Sequence, residues 1–217
     1  MVLTPNIDEI LTATYNPGKI REVQEALQSL PIKLRYLHEF PDVSAVEEVG
    51  ATYEENAVLK AVGYAKQTGI CSLADDSGLE VDALGGRPGV FSARFSGEHA
   101  SDRDRTEKLL AALAQHGGSD WSARFVCCMA LVGWQSTQEQ KAGDEPQLLS
   151  VAQAKCEGTI ASEARGTAGF GFDPVFVPAG YDGTFAELPI EVKATISHRA
   201  LALAAIRAFL DREFSQT

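Results

Sequence analysis

Residues Ile10 to Leu37 read ILTATYNPGKIREVQEALQSLPIKLRYL, and this stretch sets the fold class. ILTAT, Ile10 to Thr14, is a short apolar run that suits a buried strand. Asn16 is a good helix N-cap, and Pro17 has the fixed φ that suits the first helical position. Ile20, Val23, Leu27 and Leu30 then recur on one face, as an amphipathic helix requires. IKLRYL, Ile32 to Leu37, offers a second strand. The order strand, loop, helix, strand is that of an α/β unit.

Outward from this unit the pattern continues. Thr52 and Glu55 have capping-box spacing ahead of YEENAVLKAVGYAKQ, and Gly69 can end that helix. ICSLA, Ile70 to Ala74, reads as a strand that stops at ADDSG. DALGGRPGVFSARFSG is rich in glycine and reads as a loop. SDRDRTEKLLAALAQ is a helix with Ser101 as its cap. Two long strands follow, Ala123 to Trp134 and Leu148 to Gly158, paired as a hairpin across the polar segment from Gln135 to Gln147. GTAGFGFDPVFVPAGYDG reads as a further loop. A last helix begins near Ser197, with Ala200, Leu203, Ile206 and Leu210 on one face. The expected architecture is α/β: a mixed sheet flanked by helices.

The bulk numbers bound the function. The 217 residues suffice for a single domain with a substantial core. A net charge of −11 argues against a general nucleic-acid binder, which is usually basic. It leaves room for a small anionic ligand in a locally basic pocket. Cys71, Cys127, Cys128 and Cys156 form no C-x-x-C pair and read as small hydrophobes rather than metal ligands. No signal-peptide pattern opens the chain, so a reducing cytoplasm is expected. No apolar segment approaches the ~18 residues of a membrane span.

Chemistry concentrates in the loops. In TATYNPGK the backbone N–H groups at a helix start, with Lys19 in the first turn, can cradle an anion. Ile20 follows the lysine, so this is not a Walker A loop, and a capped helix with a surface lysine has the same spacing. In ADDSG, Gly78 permits a turn after the strand, and carboxyl ends of strands are where open α/β sheets place ligands. A carboxylate there can hold Mg²⁺ or accept a proton from water. It can equally cap backbone N–H groups in an Asx turn. AVEEVG adds Glu47 and Glu48, as ligands or as a solvated acidic loop. GFGFDP sets two phenylalanines among glycines, either to stack on a base or to fill a core. KATISHRA carries Lys193, His198 and Arg199. The last two fall in a first helical turn, where positive charge opposes the helix dipole, which hints at another task. Together these segments suit a nucleoside triphosphate with Mg²⁺.

The whole set resembles the inosine triphosphate pyrophosphatase, or Ham1-like, family. The matching segments are TATYNPGKIRE, EEVGATYEENAVLKA, ADDSGLEVDALGGRPGVFSARFSG, GFGFDPVF and AELPIEVKATISHRALAL, in the family's order from about Ile10 to Leu210. The resemblance implies an elongated sheet in two lobes with a cleft, residues 1–217 forming one such domain, and a homodimer. It implies hydrolysis of deaminated purine nucleoside triphosphates (ITP, dITP, XTP) between the α and β phosphates. By position, Asp76 corresponds to the proton acceptor and a Mg²⁺ ligand, and Glu47 to the other metal ligand. Ser77 and Lys60 correspond to substrate contacts. Thr14, Tyr15, Asn16, Pro17, Gly18 and Lys19 correspond to the phosphate loop. Phe170, Gly171, Phe172 and Asp173 correspond to the base segment. Lys193, His198 and Arg199 correspond to residues that read the purine. Two departures stand out: Tyr15 replaces a usual glycine, and Phe172 stands where tyrosine is frequent.

Three other readings fit less well. A Maf-type nucleotide pyrophosphatase matches fewer motifs. A haloacid-dehalogenase-like phosphatase needs a D-x-D motif near the first strand, which is absent. A non-catalytic nucleotide sensor would be expected to have lost its acidic ligands, which are present.

Overall fold

A strand entering a capped helix is the first feature of the computed structural model, which describes residues 7–97, 99–116, 118, 121–134 and 144–215. Strand β1 spans Glu9–Thr12 and helix α1 Pro17–Leu27. Asn16 caps α1 as expected: its Oδ1 accepts N–H bonds from Gly18 at 2.8 Å and Lys19 at 3.1 Å. Strand β2, Lys33–Tyr36, returns parallel to β1. A short 3₁₀ turn at Leu37–Glu39 follows.

Helix α2, Tyr53–Thr68, starts on the complete Thr52–Glu55 capping box and ends at Gly69, whose φ of 72° is the left-handed conformation that favours glycine. Its buried positions are 53, 56, 57, 60, 61, 64 and 65, one continuous stripe. Ala57, Ala61 and Ala65 fill that stripe, but Asn56 and Lys60 lie in it too.

Strand β3 runs Cys71–Val81, eleven residues, and corrects the expectation that a strand stops at Ala74. ADDSG lies in its middle. The strand continues because β4, Ser122–Gly133, is its neighbour in the sheet. On the other side, the parallel pairing with β1 runs only to Thr12 opposite Leu73 and closes with a 2.9 Å bond from the Ala13 N–H to the Leu73 carbonyl. The aspartates therefore come immediately after the point where one neighbour ends.

Two 3₁₀ turns, Asp82–Leu84 and Gly89–Arg94, lie in the glycine-rich segment expected to be a loop. Helix α3 spans Asp102–His116. Ser101 caps it, with its Oγ accepting from the Asp104 N–H at 3.2 Å and its own N–H donating to Asp104 Oδ2 at 2.8 Å. Strand β5, Gln147–Ile160, lies beside β4, as expected of the hairpin. Of the polar segment between them, residues 135–143 lie outside the described residues.

Two short features escaped the sequence reading. Strand β6, Phe176–Pro178, pairs antiparallel with β5 inside the second glycine-punctuated segment. Helix α4, Ile190–Ile196, precedes helix α5, His198–Ser215. Ser197 separates the two helices, and its Oγ accepts from the Ala200 N–H at 3.1 Å. The mixed sheet has the order β2-β1-β3-β4-β5-β6.

The chain divides into two compact units. Unit 1 holds residues 1–76, 128–153 and 202–217; unit 2 holds 77–127 and 154–201. The core of unit 1 includes Ile10, Leu11, Leu27, Met129, Leu131 and Leu203. The core of unit 2 gathers Leu79, Leu109, Leu113, Phe125, Phe172, Phe176 and Phe185. Within it Phe125 and Phe176 lie 4.6 Å apart and Phe176 and Phe185 5.2 Å apart, contacts that add about 0.5–1.5 kcal/mol each beyond area burial. All four cysteines are buried and unbridged, as expected of packing residues.

Candidate active site

In unit 1, β1 is flanked by β2 on one side and β3 on the other, all parallel. The chain goes from β1 through α1 to β2, then through α2 back across β1 to β3. Strand order thus reverses at the β1/β3 boundary, and ligands of open α/β sheets bind outside the carboxyl ends of strands at such a point. That position holds the Thr14–Lys19 loop and the aspartates.

Alternation along β3 sends the two aspartates to different partners. Asp75 Oδ2 lies 2.9 Å from Lys19 Nζ. Asp76 Oδ2 accepts a 3.0 Å bond from Asn56 Nδ2. Both carboxylates are buried. Lys60, also buried, reaches Glu48 Oε1 at 3.1 Å. Burial works against its charge, but the combined field of Asp75, Glu48 and Asp76 outweighs that and holds its pKa above the ordinary lysine value. Burial pushes the Asp76 pKa up to about 6, against the fields of Lys60 and Lys19 and the Asn56 hydrogen bond. The group is a cluster of three carboxylates and two ammonium groups.

The expected residues separate on these observations. Asp76, Lys19 and Lys60 are brought together. Thr14 and Asn16 shape the loop: Thr14 Oγ1 accepts from the Asn16 N–H at 3.1 Å, and Asn16 caps α1. Pro17 and Gly18 form the first turn of α1, and Tyr15 is largely exposed. Glu47 is exposed, whereas its neighbour Glu48 sits on Lys60. Sequence reading passed over Asn56, and it offered Asp75 and Glu48 only alongside Asp76 and Glu47, which received the assigned roles. The available signal was in α2: once the capping box fixes the register, Asn56 and Lys60 are polar residues on its apolar stripe.

Among the described residues no three His, Cys, Asp or Glu side chains converge as a self-sufficient metal site. The donor set still fits a hard cation shared with a phosphate. Mg²⁺ commonly takes one or two protein carboxylates and completes its shell with water and phosphate oxygens, and here three carboxylates exceed two ammonium groups by one negative charge.

Unit 2 contains the second group. The turn Gly169–Asp173 wraps around Asp173, which is buried. Its Oδ2 accepts from the Phe170 N–H at 2.8 Å and from Lys193 Nζ at 2.5 Å. Gly169 has φ +79°, and a Cβ there would lie 2.0 Å from that same oxygen, so the wrap needs glycine. The Gly171 N–H donates to Asp102 Oδ2 at 2.7 Å. Lys193 Nζ lies 4.8 Å from the Phe170 ring centroid and Arg199 Cζ 5.4 Å from it. Arg199 Nη2 donates to Ser77 Oγ at 3.0 Å. His198 stacks on Phe125, with centroids 4.6 Å apart and planes 9° from parallel. Phe172 is a core residue, packed edge-on against Phe95. Of the two aromatics in GFGFDP, Phe170 is the one beside the cations.

The fold and these two groups define an α/β protein with a capped loop between β1 and α1, a carboxylate–lysine cluster in unit 1 and an aromatic–cation group in unit 2. The model of the Ham1 family matches residues 10–209, and the chain belongs to that family. It is 45% identical over 202 residues to a dITP/XTP pyrophosphatase of Desulfotalea psychrophila, covering 93% of this chain and 85% of the relative. It is 44% identical over 201 residues to a dITP/XTP pyrophosphatase of Geobacter sulfurreducens, covering 93% and 96%. A HAM1 protein structure from Coxiella burnetii superposes with a TM-score of 0.81 at 43% identity, covering 94% of this chain and 98% of that one. The Staphylococcus aureus Ham1 structure gives 0.79 at 38% identity, covering 94% and 99%.

Proposed function

We propose that this protein is a nucleoside triphosphate pyrophosphohydrolase that converts ITP, dITP and XTP to the monophosphate and pyrophosphate. The observation that carries the reading is the cluster of Lys19, Asp75, Asp76, Glu48 and Lys60 at the β1/β3 switch point. The relatives named dITP/XTP pyrophosphatase support the choice of substrate.

In the reaction, water attacks the α-phosphorus. Its proton passes to the Asp76 carboxylate, the bond from the α-phosphorus to the bridging oxygen breaks, and pyrophosphate leaves with that electron pair. Lys19 and Lys60 offset the charge that grows on the phosphate oxygens; the N–H groups of Asn16, Gly18 and Lys19 at the start of α1 are already taken by Thr14 and Asn16 and shape the loop instead. Asp76 and the Glu47–Glu48 segment would hold Mg²⁺, with Glu48 the member already placed on Lys60. When bound, that ion supplies charge neutralisation at the phosphates.

On the base side, hypoxanthine and xanthine present an O6 acceptor where adenine presents a donor. Donors from Lys193, His198 and Arg199 favour O6 and leave adenine mispaired, which is costly in a desolvated site. Ser77, held by Arg199, joins the substrate contacts, as do Phe170, Gly171, Phe172 and Asp173 through the turn they form. The reading includes a cytoplasmic homodimer that needs neither nucleic acid nor membrane. Among the described residues, no helix is long and apolar enough to cross a bilayer.

The test is pyrophosphate release from ITP, XTP, GTP and ATP, with and without Mg²⁺. Fast Mg²⁺-dependent release from ITP and XTP, with ATP and GTP slow, is expected. Orthophosphate as the product would place cleavage at another bond. A folded Asp76→Asn variant is expected to lose nearly all turnover.

A further inference from the structure

Asn56 is fully buried on the inner stripe of α2, and both ends of its amide are used. Its Oδ1 accepts from the Gly50 N–H at 2.7 Å, and its Nδ2 donates to Asp76 Oδ2 at 3.0 Å. A backbone N–H can only donate, so the Gly50 bond fixes which end of the amide is oxygen and turns the NH₂ toward Asp76.

Gly50 closes the segment that carries Glu47 and Glu48, and that whole segment is strapped along one face of α2. The Ser44 N–H donates to Gln67 Oε1 at 2.8 Å, and Gln67 Nε2 returns a bond to the Ser44 carbonyl at 3.1 Å. Val46 packs on Gly63, where a Cβ would lie 2.6 Å from Val46 Cγ2. Glu48 meets Lys60. Gly50 meets Asn56, and a Cβ on Gly50 would lie 2.8 Å from Asn56 Oδ1. The helix positions used are 67, 63, 60 and 56, one face at spacings of four and three. Loop and helix run antiparallel, and Asn56 is the member that also reaches β3.

We infer that Asn56 is a positioning residue that couples the acidic loop Glu47–Gly50 to the carboxylate of Asp76, so that the two carboxylate sources are held at one fixed spacing for a divalent cation. The inference rests on the proposed role of Asp76. Without Asn56, the loop would keep its anchors at residues 60, 63 and 67 while Asp76 lost a donor that restricts rotation about its Cβ–Cγ bond. Outer partners of metal ligands typically contribute about 10–100-fold to metal affinity or activity.

Two variants separate the arms. Asn56→Asp keeps an acceptor for the Gly50 N–H and loses the donor to Asp76; Asn56→Ala loses both. Mn²⁺ binding in the presence of α,β-methylene-ITP, read by electron paramagnetic resonance, reports on the site without turnover. Mn²⁺ affinity and kcat for ITP are expected to fall by about 10–100-fold in both variants, while KM at saturating Mg²⁺ changes much less and Asn56→Asp keeps a cooperative thermal transition. A purely structural role would lower the melting temperature and leave Mn²⁺ affinity per folded molecule unchanged. If either folded variant retains Mn²⁺ affinity and kcat near wild type, the inference fails. If neither folds, Gly50→Ala presses on Asn56 Oδ1 from the loop side, and unchanged Mn²⁺ affinity there also overturns it. Asp76→Asn in parallel distinguishes the two levels: an active Asp76→Asn removes Asp76 from the proposed mechanism, and with it the role on which the inference rests. An inactive one beside wild-type-like Asn56 variants sinks only the role of Asn56.

Discussion

Lys19 Nζ lies 2.9 Å from Asp75 Oδ2, while the next residue, Asp76, is held by Asn56. Adjacent strand residues point to opposite faces, so one dipeptide serves two partners. In the proposed function Asp75 would pre-place Lys19 of the Thr14–Lys19 loop, and Asp76 would serve the water and the cation. Lys19→Met is expected to lower kcat/KM for ITP by about 100-fold, as loss of a donor to a developing oxyanion does. Steady-state kinetics of the folded variant check this; a loss below about threefold would remove Lys19 from the reaction.

Asp76 titrates higher in the folded chain, at about 6, than the ordinary aspartate value of 3.8, chiefly because it is buried. Between those values the folded state binds more protons than the unfolded state, so this group makes stability fall as pH rises through the window. Asp76→Asn is therefore expected to stabilise the metal-free protein above about pH 6, by at most about 3 kcal/mol for a shift of this size. The gain should vanish near pH 4. Urea unfolding with EDTA at pH 4 and pH 7.5 measures it, and equal effects at both would exclude the titration of Asp76 as the cause.

Lys193 and Asp173 form a buried pair that also organises the turn at Phe170. Lys193→Met strands a buried carboxylate and is expected to cost about 3–5 kcal/mol. Adding Asp173→Asn should recover part of the stability but not the preference for ITP over ATP. Denaturation and the two kcat/KM values separate these effects. Recovery of selectivity in the double variant would show that Lys193 does not read the base.

The thiols of Cys128 and Cys156 are pushed up to about 12 and about 11, first by burial and then by nearby carboxylates. The thiolate is the reactive form, so native protein at pH 8 is expected to react with Ellman's reagent at neither position, and at all four cysteines once unfolded. Rapid labelling of native Cys128 would show that its strand opens locally.

Helix punctuation was legible in the sequence because it is local. Asn16, Thr52, Gly69 and Ser101 each act on backbone groups within a few residues, and each does so in the structure. The strand through ADDSG was not legible. Its polar residues look like a break, and only pairing with a strand some fifty positions away, β4, carries the ladder through them. Strand β6 and helix α4 were missed for the same reason: three and seven residues hold too little periodicity of their own.

The sequence by itself determined the α/β class, the caps, the apolar stripes and the set of residue types that a triphosphate requires. These follow from backbone chemistry and side-chain spacing within one element. Tertiary structure alone decided the partners: Asp75 with Lys19, Asp76 with Asn56, Glu48 rather than Glu47 on Lys60, and Phe170 rather than Phe172 beside the cations. Those choices depend on where β1 stops beside β3 and how α2 packs the loop, and such relations are set by contacts between elements rather than by the residues of any one of them.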